Sequence, residues 1–190
     1  MKSASETPVL RDLWTTSLEY RQLYQPPDEI DAVVGLLEME HATVLADIGC
    51  GNGAFAIAAA KANPNCRVWA FDALDSATTE CQAAASAAGL SADRFTVSNA
   101  RAESIPLSDG SVDRLLCRAV LHHLADPQRV FEEFARVLKP GGLLLLQAPC
   151  NYWQKEWGRI ISALYMVFDD SHPRQYHQPA DVIAGLNAAG

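Results

Sequence analysis

The sequence has little positive charge. It carries 15 Lys and Arg residues against 23 Asp and Glu residues, which gives a net charge of −8 at pH 7, and it has no basic run. Proteins that bind nucleic acid or an anionic membrane surface need a basic face. The charge balance therefore argues against both partners and favours a small or neutral molecule.

Long hydrophobic runs and paired cysteines are also missing. The longest apolar stretch, residues 143–146 with their flanks, is far shorter than the roughly 20 residues of a membrane span, and the N-terminus has no apolar signal region. The five cysteines form no CxxC pair and no zinc-site spacing; they are Cys50, Cys66, Cys81, Cys117 and Cys150. This pattern predicts reduced thiols, no metal site, no membrane segment and a cytoplasmic location.

Alternating hydrophobic patterns predict an α/β fold. Short apolar runs suited to buried strands lie at 43–48, 67–71, 95–97, 112–117 and 143–147. Helical patterns lie at 27–40, 54–62, 76–88, 127–138 and 180–189. Strands that alternate with helices in this way form βαβ units, so we expect a doubly wound, mostly parallel sheet with helices on both faces. Residues 1–26 are a polar lead-in, and 27–190 form one domain.

The strongest local signal is a glycine loop after the first predicted strand, in the sequence VLADIGCGNG at 44–53. Glycine permits the sharp turn and the close approach of a ligand that such a loop requires. Asp72 ends the second predicted strand, where its carboxylate can accept both hydroxyls of a ribose. The spacing of Gly49, Gly51 and Ala54 also fits the dinucleotide fingerprint. The loop alone therefore leaves open a dinucleotide, another cofactor that contains a ribose, or a glycine turn without a ligand.

Further motifs along the chain narrow this choice. The loop and the Phe71-Asp72 pair are followed in order by AESIP at 102–106, GSVD at 110–113, LHHLADP at 121–127 and LKPGG at 138–142. From 27 to 146 the chain resembles the class I S-adenosylmethionine (SAM)-dependent methyltransferases, specifically the small-molecule type called methyltransferase type 11. A dehydrogenase is not expected to carry the last three motifs. The resemblance implies a Rossmann-like fold, SAM as the cofactor and a small-molecule methyl acceptor.

The resemblance also implies roles for individual residues. The loop residues Gly49, Cys50, Gly51, Asn52 and Gly53 are expected to line the methionine end of SAM. Asp47 is expected to hold loop amides or the ammonium group of SAM, although a loop brace without ligand contact is the alternative.

Two positions at the ends of later strands are expected to meet the same cofactor. Asp72 is expected to bind the ribose, with Ala73 beside it, unless Asp72 is only a helix cap. Arg118 follows the fourth predicted strand, where the family's backbone commonly meets the methionine end. A structural ion pair is an equally good interpretation of Arg118.

The adenine site departs from the family pattern. The family usually has Asp-Ala at the positions held here by Arg101 and Ala102, and the acid accepts a hydrogen bond from the adenine amino group. Arginine has only donors and cannot replace that acceptor. Either the Ala102 amide and apolar walls suffice, or Glu103 or Asn99 turns in, or Arg101 stacks on the ring.

No catalytic residue is assigned from the sequence. His122 and His123 follow the fourth predicted strand and are candidate bases, but a structural histidine pair is the more common arrangement. Methyl transfer from a sulfonium is an SN2 displacement, in which alignment of donor and acceptor can supply most of the rate. An aromatic group after the fifth strand predicts either an acceptor pocket or ordinary core packing; it contains Tyr152, Trp153, Trp157 and Tyr165, with Cys150 before it and Tyr176 and His177 beyond.

Two alternatives to an active methyltransferase remain, an NAD-binding oxidoreductase and a non-catalytic SAM-binding pseudoenzyme. In the family, two further strands follow the last helix, whereas this sequence stops at Gly190. We therefore expect an incomplete C-terminus, without strands six and seven, that leaves the fifth strand at an open edge.

Overall fold

The structure is a computed structural model, and it describes residues 25, 27–124, 126–148 and 179–190. The α-helices are α1 (Pro27–Leu36), α2 (Ala54–Ala62), α3 (Asp75–Ala87), α4 (Pro127–Val137) and α5 (Pro179–Ala189). The strands are β1 (Val44–Ile48), β2 (Arg67–Asp72), β3 (Phe95–Asn99), β4 (Val112–Arg118) and β5 (Leu138–Gln147). Short 3₁₀ turns lie at Met39–His41 and Leu121–His123. Apart from Gln25, the predicted lead-in at 1–26 lies outside the described residues, as does the aromatic group at 150–177.

The five described strands form one parallel sheet in the order β3-β2-β1-β4-β5. The strand order reverses at β1, which pairs with β2 on one side and β4 on the other. In doubly wound sheets, ligands bind outside the carboxyl ends of the strands at such a reversal. The predicted doubly wound parallel fold is confirmed, and it directs attention to the loop that follows β1.

Side chains of the central strands alternate between two buried clusters, one on each side of the sheet. We call the side covered by α1, α2 and α3 the α1 face; its strand residues include Leu45, Ala70 and Leu116. The side covered by α4 and α5 is the α4 face, where Ile48 and Phe71 are buried. Because successive residues of a strand point to opposite faces, β1, β2, β4 and β5 each contribute to both clusters.

Two predicted boundaries were wrong. The helix predicted at 27–40 ends at Leu36, because Glu38 takes a left-handed conformation with φ of 48°, and Arg114 donates from Nε to the Leu37 carbonyl at 2.6 Å. The strand predicted at 143–147 begins at Leu138, which pairs with Val112 before an irregularity in the register. All other predicted elements agree with the structure to within two residues at each end.

Asp113 in β4 ties together the beginnings of β1 and β5. Its Oδ2 accepts hydrogen bonds from the Thr43 amide at 3.0 Å, from the Val44 amide at 2.8 Å and from the Thr43 hydroxyl. Lys139 Nζ donates to its Oδ1 at 2.9 Å. Burial alone would raise the pKa of this carboxyl, but the hydrogen bonds from Thr43, Lys139 and Val44 outweigh it and lower the pKa to about 2.

Replacing Asp113 by Asn should lower the free energy of unfolding at pH 7 by about 2 kcal/mol. A depressed pKa stabilises the folded state above the unfolded value, here near 3.8, and that contribution is lost as pH falls towards about 2. Urea denaturation of both proteins should therefore show a wild-type advantage that is full at pH 7 and narrows below pH ~4. If the difference in the free energy of unfolding between the two proteins stays constant down to pH ~2.5, the ionised Asp113 carboxylate is not the cause of that difference.

Candidate cofactor-binding site

The backbone of the glycine loop is held by the end of β2. The Gly49 and Cys50 amides both donate to the Phe71 carbonyl, at 2.8 and 2.9 Å. The Gly51 amide donates to Asp72 Oδ2 at 2.9 Å. These bonds place the loop directly over the carboxyl ends of β1 and β2, as the sequence predicts for a ligand-binding loop.

The three loop glycines have different surroundings, although all have positive φ (74°, 54° and 80°). A Cβ on Gly49 would lie 2.1 Å from Val120 Cγ2, and a Cβ on Gly53 would lie 2.5 Å from Cys81 Sγ. A Cβ on Gly51 would meet no atom within 4 Å. Gly49 and Gly53 are thus required by packing, whereas Gly51 is the point at which a ligand has room to approach the backbone.

Polar side chains form a row across the carboxyl ends of four neighbouring strands. We call it the carboxyl-end row; its members are Asp72 of β2, Asp47 of β1, Arg118 of β4 and Gln147 of β5. Asp47 of β1 is paired with Ala70 of β2 and with Leu116 of β4. Asp72 lies two residues beyond Ala70, and Arg118 lies two residues beyond Leu116. Arg118 is in turn paired with Gln147. All four side chains therefore point to the α1 face, and two acids lie beside one cation.

Asp47 is a buried carboxyl group, only 3% exposed. Burial, followed by the charge of Asp72, raises its pKa to about 7, although the charge of Arg118 acts in the opposite direction. No described residue donates a hydrogen bond to it, and the amides of the loop donate to the end of β2 instead. A buried carboxylate that lacks a donor is costly for a protein, and a cationic ligand group would compensate that cost.

Asp72 shapes the loop and keeps capacity for a ligand. Its Oδ2 accepts from the Gly51 amide, and its Oδ1 accepts from the Leu74 amide at 3.0 Å, across an exposed Ala73. It is not the N-cap of α3, a position held by Leu74. Since each carboxylate oxygen has two lone pairs, both oxygens can accept a further hydrogen bond from a ligand.

Arg118 forms an ion pair with Glu29, which was one of the two roles predicted for it. Its Nη2 donates to Glu29 Oε1 at 2.6 Å, and its Nε donates to Gln147 Oε1 at 2.6 Å. Gln147 Nε2 also donates to Glu29 Oε1, at 3.2 Å, and the guanidinium lies 4.5 Å from the centre of the Phe55 ring. Glu29 is not identifiable from the sequence except as a helix-favouring acid in the first turn of α1.

A second contact joins the N-terminal segment to the loop. Gln25 and Asn52 exchange two amide hydrogen bonds, at 3.0 and 3.3 Å. Asn52 Oδ1 also accepts from the Ala54 amide at 3.1 Å, at the beginning of α2. The side chain of Asn52 is therefore engaged within the protein.

The segment after β3 carries the predicted adenine-side residues. The Arg101 side chain is 72% exposed and pairs with Glu103 at 3.1 Å, whereas Ala102 is buried. From α4, Glu133 accepts from the Ile105 amide at 2.9 Å, and Arg136 donates to the Ile105 carbonyl at 2.8 Å. Glu133 and Arg136, which were not singled out from the sequence, thus position this segment. Asn99 turns towards α3 and donates to Asp75 at 3.0 Å.

His122 and His123 lie on the 3₁₀ turn that follows β4, with ring centres 4.0 Å apart. His123 is exposed and His122 is half-buried. Among the described residues, no three His, Cys, Asp or Glu side chains gather as a metal site would require. Within the same part of the chain, no helix has both the length and the apolar character needed to cross a bilayer.

Comparison with known proteins places these features in a family. The family model described as "Methyltransferase domain" matches residues 46–146. The 27-O-demethylrifamycin SV methyltransferase of Amycolatopsis mediterranei is 35% identical over 116 residues, which cover 61% of this chain and 42% of that protein. The human thiol S-methyltransferase TMT1A is 32% identical over 133 residues, covering 66% and 52% respectively.

A solved structure shows the same fold. The crystal structure of YcgJ from Bacillus subtilis superimposes with a TM-score of 0.73 at 25% identity, and the match covers 85% of this chain and 67% of that one. The chain spans about half the length of the two curated relatives. Because the matched model covers more than half of the 190 residues, including the glycine loop and the carboxyl-end row apart from Gln147, the chain belongs to the methyltransferase domain family of type 11.

Proposed function

We propose that this protein transfers a methyl group from SAM to a small-molecule acceptor. The observation that carries the proposal is the buried Asp47 carboxyl, which accepts no hydrogen bond from the described residues and lies beside a loop with open space at Gly51. The methionine end of SAM is a zwitterion, and the carboxyl-end row offers carboxyl groups at Asp47 and Asp72 next to a cation at Arg118. An ammonium group beside Asp47 would favour its ionised form. The residues present therefore fit this cofactor.

Each group of residues then has a defined task. Asp47 receives the ammonium group, the backbone at Gly51 borders the methionine end, and the free lone pairs of Asp72 accept the ribose hydroxyls. SAM supplies a methyl group on a sulfonium, which an acceptor can take by SN2 displacement. The chain contributes by holding the donor in one orientation so that an acceptor can align with it. No catalytic base is assigned.

An NAD-dependent oxidoreductase is the competing function for the same loop. The pyrophosphate of NAD is anionic and would lie against a loop bordered by two carboxyl groups, Asp47 and Asp72, which disfavours it. Isothermal titration with S-adenosylhomocysteine and with NADH separates the two functions. We expect binding of S-adenosylhomocysteine alone; tight NADH binding without it would refute the proposal.

The acceptor class is proposed from two relatives, the 27-O-demethylrifamycin SV methyltransferase and the thiol S-methyltransferase TMT1A. A metabolite extract incubated with the protein and methyl-labelled SAM should yield a labelled small molecule. Binding of S-adenosylhomocysteine without label transfer to any metabolite would instead favour the non-catalytic alternative.

Replacing Arg101 by Asp is expected to preserve or improve affinity for S-adenosylhomocysteine. The exposed Arg101 side chain supplies no acceptor, and the substitution restores one near the expected position of the adenine amino group. Titration of R101D against the wild type checks this, with R129D as a control for charge reversal at another exposed arginine. A loss of affinity in R101D alone would show that the Arg101 side chain itself contacts the cofactor.

A further inference from the structure

The carboxyl-end row contains one cation, and that cation is already engaged by an acid of α1. The Arg118 side chain is only 14% exposed, and that of Glu29 is 29% exposed. Their contact joins one guanidinium nitrogen, Nη2, to one carboxylate oxygen, Oε1. It is not the two-bond arrangement in which arginine binds a carboxylate most strongly. Arg118 therefore holds Glu29 in a geometry that another carboxylate can improve on.

The position of Arg118 within the row matters for the proposed cofactor. Asp47 lies on the neighbouring strand, and the charge of Arg118 opposes the rise of its pKa, so the two groups interact. If Asp47 receives the ammonium group of an amino acid, the carboxylate on the same carbon atom lies within a few ångströms of that ammonium. Arg118 is the cation of the row that can bind this carboxylate, but in the structure its guanidinium is paired with Glu29.

We propose that Glu29 competes with the cofactor's carboxylate for Arg118, so that cofactor binding releases the first turn of α1. This inference rests on the proposed function and adds a regulatory contact to it. Glu29 is a positioning residue, since it acts through Arg118 and not on the reacting atoms. The Glu29 carboxylate and the carboxylate of the bound cofactor are thus alternative partners of the Arg118 guanidinium.

The attachment of α1 makes this release feasible. Val33 is the one buried residue of the helix. The first turn, residues 27–30, is exposed or half-buried, and Ile30 is its apolar contact with the core. The other contacts at this end of the helix are polar: the pair of Glu29 with Arg118 and Gln147, and the Gln25–Asn52 pair just before it. Segments with few buried apolar contacts open at low free-energy cost.

The decisive experiment compares two ligands on one variant. Glu29→Gln keeps the size of the side chain and removes its charge. S-adenosylhomocysteine has the amino acid end, whereas 5′-methylthioadenosine has the same adenosine and lacks that end. By isothermal titration, E29Q should bind S-adenosylhomocysteine about threefold to tenfold more tightly than the wild type, the size expected for one partly buried ion pair. Its affinity for 5′-methylthioadenosine should not change.

Asp31→Asn is the matched control, because Asp31 is an exposed acid of the same helix and its loss changes the net charge equally. D31N should leave both affinities unchanged. Weaker or unchanged binding of S-adenosylhomocysteine by E29Q would overturn the proposal, as would an equal gain for both ligands. If the wild type binds neither ligand, the proposed function itself fails, and a selective effect of E29Q is then impossible.

A measurement on the wild-type protein makes the test independent of any variant. Amide hydrogen exchange in α1 should accelerate when S-adenosylhomocysteine is bound and should stay unchanged with 5′-methylthioadenosine, because only the first ligand displaces Glu29. Slower exchange in α1 with S-adenosylhomocysteine would show that the cofactor closes this helix onto the site, contrary to the proposal.

Discussion

Replacement of Asp72 by Ala is expected to weaken binding of S-adenosylhomocysteine by about 1–3 kcal/mol, the range for hydrogen bonds to a charged group. Two losses add in the same direction. The ribose hydroxyls lose their acceptor, and the Gly51 amide loses its bond to Asp72 Oδ2, which frees the loop at the place where the ligand approaches. Isothermal titration of the folded variant measures the change in dissociation constant.

Asp75→Asn is the control for this measurement. Asp75 lies three residues away, is exposed, and accepts from Asn99 at the beginning of α3. The D75N variant should bind S-adenosylhomocysteine as the wild type does. An unchanged dissociation constant in D72A, with circular dichroism identical to the wild type, would remove Asp72 from the cofactor site.

Gly49→Ala should cause the largest loss of stability in the loop, about 3 kcal/mol. Two costs contribute. A non-glycine residue at φ of 74° is strained by roughly 1–2 kcal/mol, and the new Cβ would overlap Val120 Cγ2 at 2.1 Å. Urea denaturation monitored by circular dichroism gives the difference in the free energy of unfolding.

Two further variants separate these costs. Gly51→Ala has similar backbone strain with open space around its Cβ, so it should lose only the roughly 1–2 kcal/mol of the conformation. In the Val120→Ala background, G49A should recover the part that is due to overlap. If G49A and G51A lose equal free energy of unfolding, and G49A recovers none of it in the V120A background, then packing against Val120 does not require glycine at position 49.

Much of the fold and part of the site follow from local sequence patterns. The parallel sheet follows from short apolar runs that alternate with helical patterns. Asp47 and Asp72 are predictable as candidate site residues because each lies at or next to the end of a buried strand, where parallel sheets bring strand ends together. The left-handed conformation of Glu38 is not predictable in this way, since glutamate carries no local preference for it.

The remaining features depend on contacts between distant parts of the chain. Glu29 and Arg118 are 89 residues apart, and Glu29 and Gln147 are 118 residues apart. No pattern within one helix or strand reports such a pair. The same holds for Glu133 and Arg136, whose bonds to the segment after β3 are made from a helix that looks ordinary in sequence.

The alternation of side chains along β1 has a consequence for insertions and deletions. Asp47 points to the α1 face and belongs to the carboxyl-end row, while Ala46 and Ile48 on either side of it are buried in the cluster of the α4 face. Adding or removing one residue within this strand exchanges the two sets, since the period of the strand is two. Such a change would place a carboxyl group among the apolar side chains of the α4 face and an isoleucine in the carboxyl-end row, so the candidate site and the core would be lost in one step.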